Sequence, residues 1–335
     1  MNQFDTAHEG RALPTPARRW LKFAAYASLL LTVAVALHLG AREALASAVA
    51  LAPNSNRARA MPGSLPMPVE LIKLGAFTVE TPVGPPEATL VSWIVEPPAG
   101  RLKGTVVLLH GVRMDKRSLA AMGAALATDG YRAVLVDLRG HGESSGHYLT
   151  YGSVEVRDIS SVLDALSARG LTLGCTGVYG FSYGAAVALE LSARDRRVNA
   201  VVAVASFSTL RDVVNDYRHK YLPAALSIIP SAWFQGAVDE AGRMAQFDPD
   251  RIAPLRAVSR STAALLLIHG AADTQVPIRH SQALLRAAPS NARLVTVAGA
   301  EHAAMPGDST GVVRREALAW FDQWVGTSAC LASSR

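Results

Sequence analysis

The chain has 335 residues, half of them hydrophobic, and carries 33 Lys and Arg against 27 Asp and Glu, a net charge of +6. Residues 1–52 hold five of those cations and three of the acids, so +2 sits there, and no dense basic stripe with interleaved aromatics follows; nucleic acid is excluded as a partner. No Cys/His spacing suggests a metal and no Rossmann or Walker glycine pattern suggests a nucleotide, so no cofactor is expected. Of the two cysteines, Cys175 reads as a small buried residue. Cys330 lies in a Ser/Ala-rich tail, and a bridge would have to tie the core to a terminus.

Arg11, Arg18, Arg19 and Lys22 precede an almost wholly apolar run at 23–41, close to the roughly 20 residues that span a bilayer as a helix. The basic cluster predicts an N-terminus held in the cytoplasm, with the rest of the chain outside it. Two readings stay open for 1–52. One is a retained signal anchor, and the other is a signal peptide cleaved near Ala44-Leu45-Ala46 or Ala50-Leu51-Ala52. Pro53, Pro62, Gly63, Pro66 and Pro68 mark 53–68 as a linker, which places the catalytic domain at 69–328 and a tail at 329–335.

Within that domain strands are predicted near 70–79, 89–96, 104–109, 132–137, 173–179, 198–205, 263–269 and 293–298. Helical patterns fall between most of them, at 116–128, 153–168, 183–194, 279–288 and 312–325. Continuous apolar strands alternating with helices predict an α/β fold, with a mostly parallel sheet covered on both faces. The first two strands are joined without a helix and should form an antiparallel edge. In such sheets the ligand site lies outside the carboxyl ends of the strands.

The strongest motif is Gly180-Phe181-Ser182-Tyr183-Gly184, between an apolar β-rich run and the helical 185–191. A strand that turns into a helix through one residue needs glycine on either side, and it exposes the serine at a helix head that favours developing negative charge. Downstream, the strand at 263–269 leads to Asp273, and the last strand leads to Gly299-Ala300-Glu301-His302. The order Ser182, Asp273, His302 is that of the α/β-hydrolase triad, unlike the chymotrypsin or subtilisin orders.

On these residues the chain resembles the α/β-hydrolases, in particular the serine aminopeptidase and monoglyceride-lipase-like branch of small lidded esterases, over roughly 65–328. The resemblance implies Ser182 as nucleophile, His302 as its base and Asp273 as the residue orienting the imidazole. It implies an oxyanion site from the backbone N–H of Tyr183 and of Val112, after the His110-Gly111 turn. Asp137 and the glycine-flanked His110, His141 and His269 are read as loop-holding residues, Glu155 and Asp158 as loop support, and His280 as lying on a helix face. Segment 208–260 is too long for an ordinary connection and resembles the family's helical lid, whose Tyr217, Tyr221, Trp233 and Phe234 either line a substrate pocket or pack the lid. Serine at the nucleophile disfavours the dehalogenase and epoxide-hydrolase branches.

The implied activity is hydrolysis of a small-molecule ester, or of an amide or thioester, through an acyl-enzyme. An acyltransferase would use the same residues with an alcohol replacing water. The competing class is a membrane-tethered binding protein on the same fold.

Overall fold

The computed structural model describes residues 16–54, 66–99, 102–171, 174–221, 229–307 and 309–326. The chain divides into two units, Met1–Leu45 and Ala46–Arg335. The first unit is a helix from Pro16 onward, the leading part of α1 (Pro16–Ala50). It exposes Trp20, Phe23, Leu30 and Leu37, and the stretch Tyr26–Ala50 is long and apolar enough to cross a membrane by length and composition.

The second unit contains α2 (Val69–Lys73), β1 (Phe77–Val83), β2 (Ala88–Val95), β3 (Gly104–Leu109), α3 (Ala120–Asp129), β4 (Tyr131–Val136), α4 (Glu155–Ala168), β5 (Thr176–Phe181) and α5 (Tyr183–Ser192). It continues with β6 (Val198–Val204), α6 (Leu210–Tyr221), α7 (Ser231–Ala245), α8 (Pro254–Val258), β7 (Ala264–Gly270), α9 (Arg279–Ala287), β8 (Ala292–Val297) and α10 (Val312–Trp324). The eight strands form one sheet in the order β1-β2-β4-β3-β5-β6-β7-β8. β1 pairs antiparallel with β2 and β2 with β4, while all later pairings are parallel. This is the mostly parallel sheet with an antiparallel edge that the apolar runs imply.

Alternation along each strand feeds two cores. Val107, Leu109, Val134, Val136 and Val178 face one helical layer; Val106, Leu108, Ala133, Leu135 and Tyr179 face the other. Each fully buried Val or Leu contributes roughly 1.5–3 kcal/mol relative to exposure, which is why the central strands tolerate no polar alternation. Pro82, which has no N–H to give a ladder, sits in the edge strand β1.

One expectation is corrected. The strand predicted at 70–79 begins instead as the short helix α2, and β1 starts only at Phe77. The run Val69-Glu70-Leu71-Ile72-Lys73 buries Leu71 alone, leaving Val69 and Ile72 exposed, and Gly75 at φ +73 turns the chain into β1. A single anchoring side chain needs one helical turn, not a pleated row.

Segment 208–260 carries α6, α7, a 3-10 turn at Pro249–Arg251 and α8, with 222–228 outside the described residues. Phe207, Leu210, Val213, Val214, Val238, Ala241 and Phe247 form a separate apolar cluster beneath it.

Two further findings differ from the sequence expectation. Residues 46–54 pack on the body, ahead of the Val69 start expected for it. Ala46 and Ala50 are fully buried, the N–H of Ala52 donates to His147 O, and that of Leu149 donates to Ala50 O. Asn54 donates through Nδ2 to Gly142 O and Ser144 O and through its N–H to Gly140 O. Cys175, expected as a plain buried thiol, is disulfide-bonded. Cys330, the other cysteine, lies outside the described residues.

Candidate active site

The parallel register brings the ends of the central strands level. Leu109 pairs with Gly180, Phe181 with Val204, and Val204 with Ile268. The residues that follow these ends, His110, Ser182 and Asp273, therefore emerge along one edge of the sheet, together with the turn after β8 that carries His302.

Between β5 and α5, Ser182 adopts φ 52°, ψ −111°. A non-glycine residue there is strained and persists only where the surroundings over-determine it. The surroundings do so through glycine. A Cβ on Gly180 would lie 2.3 Å from Gly184 O, and one on Gly184 would lie 2.2 Å from Leu109 O. The elbow can pack against α5 and β3 only with both side chains absent.

Ser182 Oγ lies 2.9 Å from His302 Nε2, and His302 Nδ1 lies 2.7 Å from Asp273 Oδ2. Because a carboxylate only accepts, Nδ1–H is the donor, and Nε2 is left to accept the serine O–H. Asp273 Oδ1 accepts from the N–H of Gln275 at 2.9 Å and of Val276 at 2.8 Å. Burial raises the Asp273 carboxyl, but hydrogen bonds from His269, His302 and Val276 outweigh it and hold the group well below the usual carboxylate range. All three side chains are buried, and the Phe181 ring packs 5.1 Å from the His302 ring. Ser182 in this chain has an acceptor for its proton, and the acceptor has a fixed tautomer.

The N–H of Tyr183, at the first position of α5, has no acceptor within the helix. That of Val112 makes no hydrogen bond among the described residues. The loop bearing Val112 presses close to the end of β5, since a Cβ on Gly111 would meet the Phe181 ring at 2.9 Å. The candidate donors thus belong to backbone next to Ser182, for Tyr183, and to the loop packed on Phe181, for Val112.

Other expected residues divide. Tyr221 OH donates to Gln275 Oε1 at 3.0 Å and its ring packs 5.8 Å from that of Tyr217, so these two lid aromatics border the loop carrying Asp273. Trp233 and Phe234 pack edge-on at 5.0 Å, and Phe234 is buried under the Arg218 guanidinium, within the α6–α7 pair. Asp137 takes the N–H of Lys116 and of Glu143 and pairs with the buried Lys116 ammonium, a loop-organising set. His269 donates through Nε2 to Val276 O and accepts from Ser281 at Nδ1, which steadies the Asp273 turn.

A second Ser–His–Asp chain went unseen in the sequence. Ser208 N–H and Oγ approach His280 Nδ1 at 3.2 and 2.8 Å, and His280 Nε2 donates to Asp216 at 2.7 Å. Ser208 has no positive φ and no glycine elbow, and Asp216 is also bound by Arg279. This set fastens α6 to α9. Residue type alone does not separate the two chains; the strained helix-head position of Ser182 does.

His110 donates from Nδ1 to Gly111 O and accepts the Leu138 N–H at Nε2, while His141 donates from Nδ1 to Arg139 O. Burial pushes His110 down to about 4; burial and the adjacent His110, 4.9 Å away between rings, push His141 down to about 4. Unfolded imidazole titrates near 6.5, so between about pH 6.5 and 4 the unfolded chain binds protons that the fold refuses. Stability from these two histidines is full above about pH 6.5 and declines as pH falls toward 4, by up to about 1.4 kcal/mol per pH unit for each. Urea melts across that range are expected to show a slope shallower by one proton in His110→Gln than in the parent. Parallel slopes would contradict a neutral buried His110.

With strand order, elbow and hydrogen-bonded side chains in place, the comparisons fall into line. The serine aminopeptidase S33 family, Hydrolase_4, matches residues 100–259, which run from β3 through the elbow and β6 to the end of the 208–260 segment. The Pyrococcus furiosus esterase Pf2001 superposes with a TM-score of 0.62 at 20% identity, over 78% of this chain and 97% of that one. The chain has the α/β-hydrolase fold and is similar to the S33 family over the matched residues. Among curated proteins this hydrolase is 25% identical over 203 residues to the uncharacterized protein YqkD of Bacillus subtilis, covering 59% of this chain and 65% of YqkD. It is 25% identical over 227 residues to the uncharacterized protein YfhR of Escherichia coli, covering 67% of this chain and 72% of that protein.

Proposed function

We propose that this hydrolase cleaves a carboxylic ester of a small molecule, with Ser182 as nucleophile, and that it works tethered to a membrane. The observation that carries the reading is the continuous hydrogen-bonded chain Ser182–His302–Asp273, its serine held at φ 52° at the head of α5.

The chemistry follows from that geometry. As Ser182 Oγ bonds to the carbonyl carbon, its proton passes to His302 Nε2, and Asp273 stabilises the imidazolium without taking a proton. The carbonyl oxygen gains charge and is met by the N–H groups of Tyr183 and Val112, donors fixed in backbone, which lowers the reorganisation needed at the moment of reaction. Collapse breaks the bond to the alkoxide, which leaves with the proton from Nε2. Water then attacks the acyl carbon while giving a proton to Nε2, and collapse breaks the bond to Ser182 Oγ, which takes that proton back as the acid leaves. Tyr217 and Tyr221, at the rim of the Asp273 loop, are assigned to the substrate side. Turnover of p-nitrophenyl esters, set beside the matching anilides, tests the reading. Anilides cleaved faster than esters would move the activity to amides, and inertness toward both would remove it.

The tether rests on the apolar stretch Tyr26–Ala50 and on the basic residues before it. Both sequence-level cleavage sites fall at or within 46–54, a segment that the body buries and hydrogen-bonds. Cleavage there would delete packed structure, which supports a retained anchor over a cleaved signal. A disulfide at Cys175 fits an oxidising compartment, with the catalytic body outside the cytoplasm. The full-length protein is expected in the membrane fraction, resistant to carbonate, with its amino terminus upstream of Ala46. A mature terminus at Ser47 or Pro53 would show a cleaved signal instead.

A further inference from the structure

We infer that Glu155 is a positioning residue that acts through the phenol of Tyr183 to hold the oxyanion-binding N–H in place; the inference rests on the proposed role of Ser182. Glu155, the first residue of α4, is fully buried. Its Oε1 accepts from Thr150 N–H and from Tyr183 OH, both at 2.8 Å, and its Oε2 accepts from Thr150 Oγ1 at 2.6 Å and Gly152 N–H at 2.8 Å. No cation touches the carboxylate among the described residues; four neutral donors satisfy it.

Packing alone does not explain such a group. A buried carboxylate is costly to desolvate, and it is held here because it accepts from two backbone N–H groups and two hydroxyls that an apolar side chain of similar volume would leave buried and unpaired. Reaction electrostatics do not explain it either, because a negative charge beneath an oxyanion site works against the charge forming there. Its geometry does explain it. The carboxylate joins the heads of two helices, α4 and α5, and one of its four bonds ends on the residue whose backbone N–H must meet the oxyanion. The Tyr183 ring is wedged at 5.6 Å from Tyr151 and 5.8 Å from His141, so a phenol fixed at its far end leaves the backbone at its near end little freedom. Burial, reinforced by Glu155, raises the Tyr183 phenol well above its ordinary value and keeps it a donor. The turn that supplies the other donors is itself held: Tyr151 stands at φ 53° and its OH donates to Val49 O. Oxyanion donors lose their effect when displaced by a fraction of an ångström, so a remote clamp of this kind bears on the transition state more than on substrate binding.

The test uses the full-length protein in detergent. Wild-type enzyme is first labelled with a fluorophosphonate; failure to label overturns the serine reading and this inference with it. Given labelling, Tyr183→Phe, which removes one hydroxyl and leaves the backbone, is expected to lower kcat about tenfold with KM within about twofold, the mark of an interaction made in the transition state. Binding of a boronic acid that forms a tetrahedral adduct should weaken in parallel. Glu155→Gln is expected to do the same, and the double variant to lose little beyond the worse single one, because both act through one bond. A lowered melting temperature with unchanged kcat in Tyr183→Phe would reduce the contact to a structural one and leave the serine reading standing. Fully additive losses would show that Glu155 does not act through Tyr183. Should Glu155→Gln fail to fold, the kcat–KM split of Tyr183→Phe decides alone.

Discussion

Ser182→Ala is expected to abolish ester hydrolysis, with a loss of at least about 10⁴-fold in kcat and a melting temperature close to that of the parent. The substitution removes a single hydroxyl from a buried position whose backbone is fixed from outside. Its N–H donates to Val204 O, and glycines 180 and 184 let α5 and β3 close around it. Nothing that holds the elbow depends on Oγ; its hydrogen bond runs to His302. Whatever rate survives comes from the oxyanion donors and from water. Turnover of a p-nitrophenyl ester within a few fold of wild type, in a preparation free of host esterases, would remove Ser182 from the chemistry.

Asp273→Asn is expected to cost about as much, of order 10⁴-fold in kcat, through the imidazole tautomer. The direction follows from the contacts of the acid. Oδ1 takes the N–H groups of Gln275 and Val276, so an asparagine must keep its oxygen there and turn its NH₂ toward His302. Nδ1 then has to accept, the ring proton moves to Nε2, and the face toward Ser182 no longer takes a proton. The alternative acids lie elsewhere. Asp248 caps the turn at Pro249–Arg251, and Asp250 is paired with Arg211. A small effect of Asp273→Asn combined with a large effect at Asp248 or Asp250 would overturn the assignment.

Much of this molecule is legible in its sequence because parallel strands buried on both faces must be apolar throughout. Runs such as 104–109 and 264–268 have no reading other than central strands. The elbow is legible for a related reason, since glycine on both sides of a serine between strand and helix answers a steric demand of the backbone. Strand-end placement likewise singles out Asp273 and His302. The misreadings share a different cause. The opening of the domain reads as a strand because Val-Glu-Leu-Ile-Lys alternates well enough for either structure, and only tertiary packing of Leu71 decides. Glu155 and Tyr183 are 28 positions apart, as Asp216 and His280 are 64 apart. Neither pair has any local pattern, because what unites each is the fold.

The central claim, that Ser182 is an activated nucleophile, is tested most directly by treating the full-length protein with a fluorophosphonate and mapping the adduct by peptide mass spectrometry. The expected result is one phosphonate per chain, carried on Ser182, lost in Ser182→Ala and strongly slowed in Asp273→Asn. An unlabelled protein, or an adduct on Ser208 or any other serine while Ser182 stays unmodified, would contradict it.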